Sequence, residues 1–364
     1  FSSVPIEIAV QRLIAPTQSP SLLAIPFFIL LGTLMSYTGI AERILHIANV
    51  LVGKMRGGLG VANILVSTMM GGVSASNLAD AAMLSRMMVP EMERKGYNRA
   101  FAAAITAGGS LVTPIIPPGI ALIIYGLVAD VSIGKMFIAG LVPGLLCAVV
   151  LMFTVYLVAR KTNAKPSRES WPTGKEVVFS LGQAWPALFL IFAVVGGIRA
   201  NIFTPTEAGA VAVLIVLAIG FFIYREMRIS HVVKALGETA RATASVMLVI
   251  MASAALGWIF SMEHAGVAVA NFVTSLTENK YMFLLIINIL LLTLGMFLEG
   301  NAILLILVPL LKPVVEHFGI DPVHFGIIMI FNLSIGAFTP PVGTVMLLVC
   351  NITQVSVGNF FKQS

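Results

Sequence analysis

The chain has 364 residues, of which 58% are hydrophobic and only 10% are charged, and its mean hydropathy is +0.99. A soluble domain of this length needs a charged surface that such a composition cannot supply, so the chain reads as an integral helical membrane protein. The period-two alternation of a β-barrel is absent. The net charge of +6 sits in short loops, as the positive-inside rule expects, and implies no nucleic-acid partner. Cys147 and Cys350 lie in apolar segments and read as packing residues rather than a disulfide. The sequence opens at Phe1 with no initiator Met or signal peptide, and reads as a fragment.

In chain order, Phe1–Pro20 reads as an external loop and Ser21–Thr38 as a first span. In Ile40–Met55 the apolar Ile40, Ile44, Ile47, Leu51 and Met55 share one helical face, away from Glu42, Arg43, His46 and Lys54. That pattern suits a helix lying in the bilayer interface, with His46 solvated. Val61–Val89 is apolar but interrupted by Gly71–Asn77, and reads as a hairpin with a polar tip. Asn77 is expected to cap its second arm, with Asp80 completing an approximate capping box. Phe101–Val128 is a span broken at Gly108–Gly119, because Pro114, Pro117 and Pro118 cannot all sit in one helix.

Met136–Ala159 reads as a regular span and Arg160–Glu176 as a basic cytoplasmic loop. Spans follow at Val177–Ile198 and Pro205–Tyr224, where Glu207 reads as a helix cap. Arg225–Arg241 is basic and cytoplasmic, Thr243–Phe260 is a span, and His264–Glu278 is amphipathic, with Val269, Phe272, Val273 and Leu276 on one side.

Lys280–Leu311 organises the rest of the chain. As one straight helix its roughly 30 residues would extend about 45 Å, against a hydrocarbon core of ~30 Å. Glu299 at its middle would cost about 2.5–3.5 kcal/mol. Both difficulties vanish if the segment enters the membrane, turns at Gly295–Asn301 and leaves by the same face. The alternative is a long tilted helix with a snorkelling Glu299. Phe325–Cys350 is a last span, broken at Gly336–Gly343.

The second half repeats the first: span, amphipathic helix, hairpin, broken span. Pro117-Pro118 recurs as Pro340-Pro341, 223 residues on, and the VSIGKMF of Val131–Phe137 as the VSVGNFF of Val355–Phe361, 224 residues on. Counting crossings from the basic loops makes the repeats inverted. The expected fold is therefore all-α and membrane-integral, with two re-entrant hairpins and two broken transmembrane helices. Residues 1–159 form the first repeat, 160–241 a linking loop and scaffold spans, and 242–364 the second repeat, whose last span lies beyond Ser364.

Each repeat brings two broken elements to mid-membrane, and transporters bind their cargo at such places. Hydroxyls, amides and unwound carbonyls suit a hard cation such as Na⁺. Thr113-Pro114 and Thr339-Pro340 read as helix starts, whose free N–H groups favour an anion. Na⁺-coupled uptake of a carboxylate follows, unless the Pro and Gly residues only kink helices. Asp80 is divided between capping and the site, and Glu299 is the first candidate for a site or proton-linked group. The chain has no His-Glu-x-x-His, Walker A or Gly-x-Ser-x-Gly sequence, so no enzyme and no ATP-driven pump is expected.

GGVSASNLADAAML, TPIIPPG, FTPTEAGA and GAFTPPVGT resemble the large membrane subunit of TRAP (tripartite ATP-independent periplasmic) transporters, over essentially the whole chain and most like its sialic-acid branch. The resemblance implies a sodium-driven elevator carrying sialic acid or C4-dicarboxylates. It also implies a small four-helix membrane subunit, separate or fused, and a periplasmic substrate-binding protein. By the same resemblance one Na⁺ site uses Ser74, Gly109, Val112 and Pro114, and the other uses Gly295, Gly336, Thr339 and Val342. Ser74, Ser76 and Asp80 then lie near the substrate, and the polar tips add Asn77, Glu299 and Asn301. The rival readings are a stand-alone Na⁺- or H⁺-coupled carboxylate carrier and an ion channel.

Overall fold

A computed structural model describes residues 6–74, 76–161 and 165–364, apart from the side chains at positions 6, 9, 72–74 and 270. Helix α1 (Ile6–Ile14) leads through two 3₁₀ turns, Ala15–Gln18 and Pro20–Leu23, into α2 (Ala24–Met35). From Ile6 on, then, the expected external loop is helical and rests on a later helix, Ile229–Met262. Pro16 and Pro20 misled because each occupies the first turn of a 3₁₀ segment, where a missing N–H breaks no bond. The chain bends by 64° between Val10–Gln18 and Pro20–Met35.

Helix α3 (Ile40–Val52) packs on one side against the first arm of a hairpin, α4 (Gly58–Ser74), and on the other against α9. Its expected apolar face is mostly real: Ile40, Ile44 and Ile47 are buried and His46 is exposed, but Leu51 is 44% exposed. Arg43 anchors it, 2.8 Å from Glu226 and with its guanidinium 3.8 Å from the Tyr224 ring centroid. The hairpin's second arm is α5 (Asn77–Arg94). The first broken helix is α6 (Arg99–Gly109) and α7 (Ile120–Val128).

Three long apolar helices follow: α8 (Ile133–Lys161), α9 (Gly174–Arg199) and α10 (Pro205–Ala218), the last continued by one π turn, Ile219–Ile223. Glu207 does cap α10: its carboxylate accepts from the Thr204 N–H at 2.8 Å while its own N–H donates to the Thr204 hydroxyl. The expected surface segment Arg225–Arg241 and span Thr243–Phe260 are instead one helix, α11 (Ile229–Met262), of 34 residues. No proline interrupts it, and at about 1.5 Å per residue it outreaches a bilayer core.

Helix α12 (Ala265–Leu276) packs on the second hairpin, with Val273 buried but Phe272 and Leu276 left exposed. That hairpin is α13 (Lys280–Phe297) and α14 (Gly300–His317). The second broken helix is α15 (Pro322–Phe338) and α16 (Thr344–Thr353), and α17 (Val357–Gln363) turns away by 110°. Among the described residues six helices are long and apolar enough to cross a membrane, or up to eight if each bent pair is one span.

The repeat is visible in hydrogen bonds as well as in helix order. Ser132 accepts from the Lys135 N–H and Ser356 from the Asn359 N–H, both at 3.4 Å, so the two matching heptapeptides start helices in the same way. Cysteines replacing Lys95 and Lys280 should label from opposite sides of the membrane; labelling from one side would contradict the inverted arrangement.

Candidate functional site

The two hairpin tips face one cavity of about 450 Å³. Ser76, Asn77 and Asp80 line it from the first tip, and Glu299, Gly300 and Asn301 from the second. Pro114 and Thr344 reach it from the two broken helices, Thr33 and Ser36 from α2, and Glu238 from α11. Among the described residues the charged groups of this wall are Asp80, Glu238 and Glu299, with no Lys, Arg or His.

The first tip differs from the expected capping box. Ser76, not Asn77, is the cap of α5 and accepts from the Ala79 N–H at 3.4 Å; the Asn77 amide oxygen takes only the Leu78 N–H, at 2.9 Å. With the cap one residue earlier, Asp80 falls a position beyond the point from which a side chain reaches back. It turns inward and is fully buried. Its Oδ2 accepts from Ser67 on α4 and, at 3.2 Å, from Thr113 in the first break. Its Oδ1 is buried with no hydrogen-bond partner among the described residues. At the second tip Glu299 does what Ser76 does at the first, accepting from the Ala302 N–H at 3.0 Å, and also from the Asn301 amide at 2.8 Å. It is exposed to the cavity.

The Thr-Pro pairs do not start helices. Helix α7 begins at Ile120 after Gly119, and α16 at Thr344 after Gly343. A helix started at Pro114 would meet Pro117 and Pro118 within its first turns, without donors. In the second break Gly343 has φ +51, a left-handed conformation that separates Pro340-Pro341 from any helix. Thr339 instead closes α15, its hydroxyl donating to Ile335 O at 2.7 Å.

Of the residues expected to hold Na⁺, Gly109 ends α6 and packs on Ser67, while Val112 and Pro114 lie in the break just beyond. Gly295 and Gly336 cross so closely that a Cβ on Gly336 would stand 2.6 Å from Gly295 Cα. Thr339 and Val342 belong to the adjoining break, which the Gly343 N–H ties to Met296 O at 2.9 Å. The side chain of Ser74, and Ala75 beside it, fall outside the described residues.

Two groups escaped the sequence reading. Glu238 lies in the segment Arg225–Arg241, read from its charge as cytoplasmic, and it also lines the cavity. Four interior residues, Asn63, Thr106, Asn288 and Asn332, pair across the hairpin arms and broken helices. A signal for them exists: Asn-Ile-Leu at 63–65 recurs at 288–290.

Paired hairpins and paired broken helices closing on one polar cavity define a helical membrane transport protein. The profile of the family "Tripartite ATP-independent periplasmic transporter, DctM component" matches residues 1–364. The chain is 40% identical over 358 residues to the sialic acid TRAP transporter large permease protein SiaM of Vibrio cholerae, covering 97% of this chain and 82% of that protein. It is 38% identical over 362 residues to the C4-dicarboxylate TRAP transporter large permease protein DctM of Pseudomonas aeruginosa, covering 98% and 83%. In structure it is similar to the Alcanivorax borkumensis YdaH transporter, with a TM-score of 0.65 at 14% identity, over 98% of this chain and 84% of that one. The chain belongs to the DctM family of tripartite ATP-independent periplasmic transporters, and is a multi-pass protein of the bacterial inner membrane.

Proposed function

We propose that this chain is the cargo-translocating subunit of a sodium-driven importer for an organic acid, a sialic acid or a C4-dicarboxylate. The carrying observation is the charge of the cavity. Among the described residues its ionisable wall is Asp80, Glu238 and Glu299, with no basic side chain. A carboxylate cargo would meet only like charge there, and like charges across a low-dielectric gap repel strongly. Bound cations reverse that sign, and unwound carbonyls beside each tip are hard oxygen donors of the kind Na⁺ accepts. Sodium therefore makes the cavity able to hold an anion, which couples the two. The names of the similar permeases support the two cargo classes.

Cargo would arrive on a periplasmic substrate-binding protein, with a small four-helix membrane subunit, separate or fused, completing the scaffold. The motion would be an elevator. Hairpins and broken helices would slide as a body against α8–α10, with α3 and α12 as arms; α3 touches both α4 and α9, as such an arm must. A disulfide engineered between scaffold and hairpin should stop uptake and leave sodium binding measurable. Full turnover in the cross-linked protein would exclude the elevator.

Uptake into proteoliposomes, with and without the binding protein and across a panel of acids, tests the reading. Uptake should need the binding protein and a sodium gradient. It should rise with sodium with a Hill coefficient clearly above about 1, because each repeat supplies a site. Uptake independent of the binding protein would favour a stand-alone carrier. Uptake that follows a pH gradient without sodium, and is lost in Glu299→Gln, would replace sodium coupling by proton coupling.

A further inference from the structure

We propose that two side-chain hydrogen bonds, one per repeat, the first buried and the second part-buried, are struts that hold each hairpin in register with the unwound stretch beside it. They are Asn63 to Thr106 in the first repeat and Asn288 to Asn332 in the second. The inference deepens the transport reading above and rests on it for one of its two readouts.

The two bonds are equivalent in place and length. Asn63 on α4 donates to the Thr106 hydroxyl on α6 at 2.6 Å. Asn332 on α15 donates to the Asn288 carbonyl on α13, also at 2.6 Å. Asn63 and Asn288 stand 225 positions apart, and Thr106 and Asn332 stand 226 apart. Each bond therefore joins the first arm of a hairpin to the first half of the neighbouring broken helix. Thr68 and Thr293 extend the match: each hydroxyl donates to the carbonyl four residues earlier, at 2.7 Å.

Three of the four partners are also tied back to their own helix. The Thr106 hydroxyl donates to Ala102 O at 3.0 Å, Asn332 donates to Ile328 O at 2.8 Å, and Asn288 donates to Leu284 O at 2.5 Å. The second strut thus connects backbone to backbone, and the first is fixed to the backbone at its Thr106 end. Around each pair the arms also meet through buried apolar side chains. A polar pair among them is satisfied in one register only, since a shift leaves buried donors and acceptors unpaired. Buried polar pairs fix register in this way in other helix contacts. Thr106 lies one turn before the end of α6 at Gly109, where the first break begins, so a slip there moves the carbonyls of 110–119 directly.

The test pairs disruption with transplantation. Thr106→Val and Asn332→Leu remove one partner in each repeat. Thr106→Ser keeps the hydroxyl, Thr106→Asn installs the second repeat's pairing in the first, and Asn332→Thr does the reverse. Each disrupting variant should raise the sodium concentration for half-maximal uptake by about tenfold, as expected for a lost buried partner, with the maximal rate retained at saturating sodium. The three pair-preserving variants should stay within about twofold of the parent. Hydrogen–deuterium exchange supplies the second readout. Thr106→Val should speed exchange in 110–119 alone and Asn332→Leu in 339–343 alone. Unchanged exchange at both breaks overturns the proposal, as does equal loosening of both repeats by either variant. If parental uptake proves independent of sodium, the transport reading fails, while the exchange pattern still decides this one.

Discussion

Gly336→Ala should reduce uptake by about 100-fold or more, and Gly336→Val should abolish it. A Cβ at this position would sit 2.6 Å from Gly295 Cα and 2.7 Å from Gly295 C. Both obstacles are backbone, so no rotamer change relieves them, and α13 must move off α15. Overpacking of this kind costs about 1–3 kcal/mol even where side chains can yield. Here the displaced segment is the arm of the second hairpin, whose break is tied to it through Gly343 N–H and Met296 O. The second proposed sodium site is built on that contact, so half-maximal sodium should rise before folding fails. Thr339→Ala removes one hydroxyl and should weaken sodium dependence without obstructing the helix crossing. Gly108→Ala is the control: a Cβ there has no neighbour within 4 Å among the described residues, and replacing glycine inside a helix stabilises by about 0.5–1 kcal/mol. Gly336→Ala with parental uptake and parental sodium dependence would show that the crossing is slack.

The second large effect is expected at Asp80. Asp80→Ala should leave the Ser67 and Thr113 hydroxyls without their acceptor in a fully buried place. Each orphaned donor costs about 1–3 kcal/mol, and the hairpin should part from the first break. Asp80→Asn separates charge from geometry. The amide oxygen can still accept from both hydroxyls, so the fold should survive. The negative charge is gone, however, and among the described residues no ion pair includes Asp80 in the parent protein. If that charge helps hold a coupling cation, the asparagine variant should fold like the parent and need at least about tenfold more sodium for half-maximal uptake. Uptake measured against sodium, together with thermal unfolding of both variants, checks this. Parental sodium dependence in Asp80→Asn would leave Asp80 a purely structural role.

Asp80 also shows that the two repeats are not chemically equal. The positions matching Ser67 and Asp80 in the second repeat are Leu292 and Ile303, so the first hairpin is closed by polar groups and the second by apolar packing. The asymmetry was already present in the residues. It had no meaning until Ser67, Asp80 and Thr113 were seen to meet.

Much of the helix pattern was legible from local chemistry. Proline lacks an N–H and clashes with the preceding turn wherever it stands, so Pro117-Pro118 and Pro340-Pro341 marked both breaks without any tertiary knowledge. Glu299 in a long apolar run marked the second hairpin, because a lone carboxylate in hydrocarbon is costly in any fold. Capping is equally local, and the expected role of Glu207 at the start of its helix agrees with the structure. Where two candidate caps were adjacent, at Ser76 and Asn77, local propensity could not choose between them. The choice came from the packing of Asp80 against α4 and the first break.

The sequence by itself determined that this is a helical membrane protein, that two of its spans break at paired prolines and that its halves correspond, since each follows from covalent geometry or the solvation of short segments. Only the tertiary structure decided the rest. That Asp80 is buried rather than capping depends on Ser67 and Thr113, 13 and 33 residues away. The place of Glu238 on the cavity wall depends on α11 running unbroken past α2, and the intolerance of Gly336 depends on Gly295 lying across it. The helical start of the chain depends on α11 as well. These are contacts between distant segments, and no local window of sequence carries their free energy.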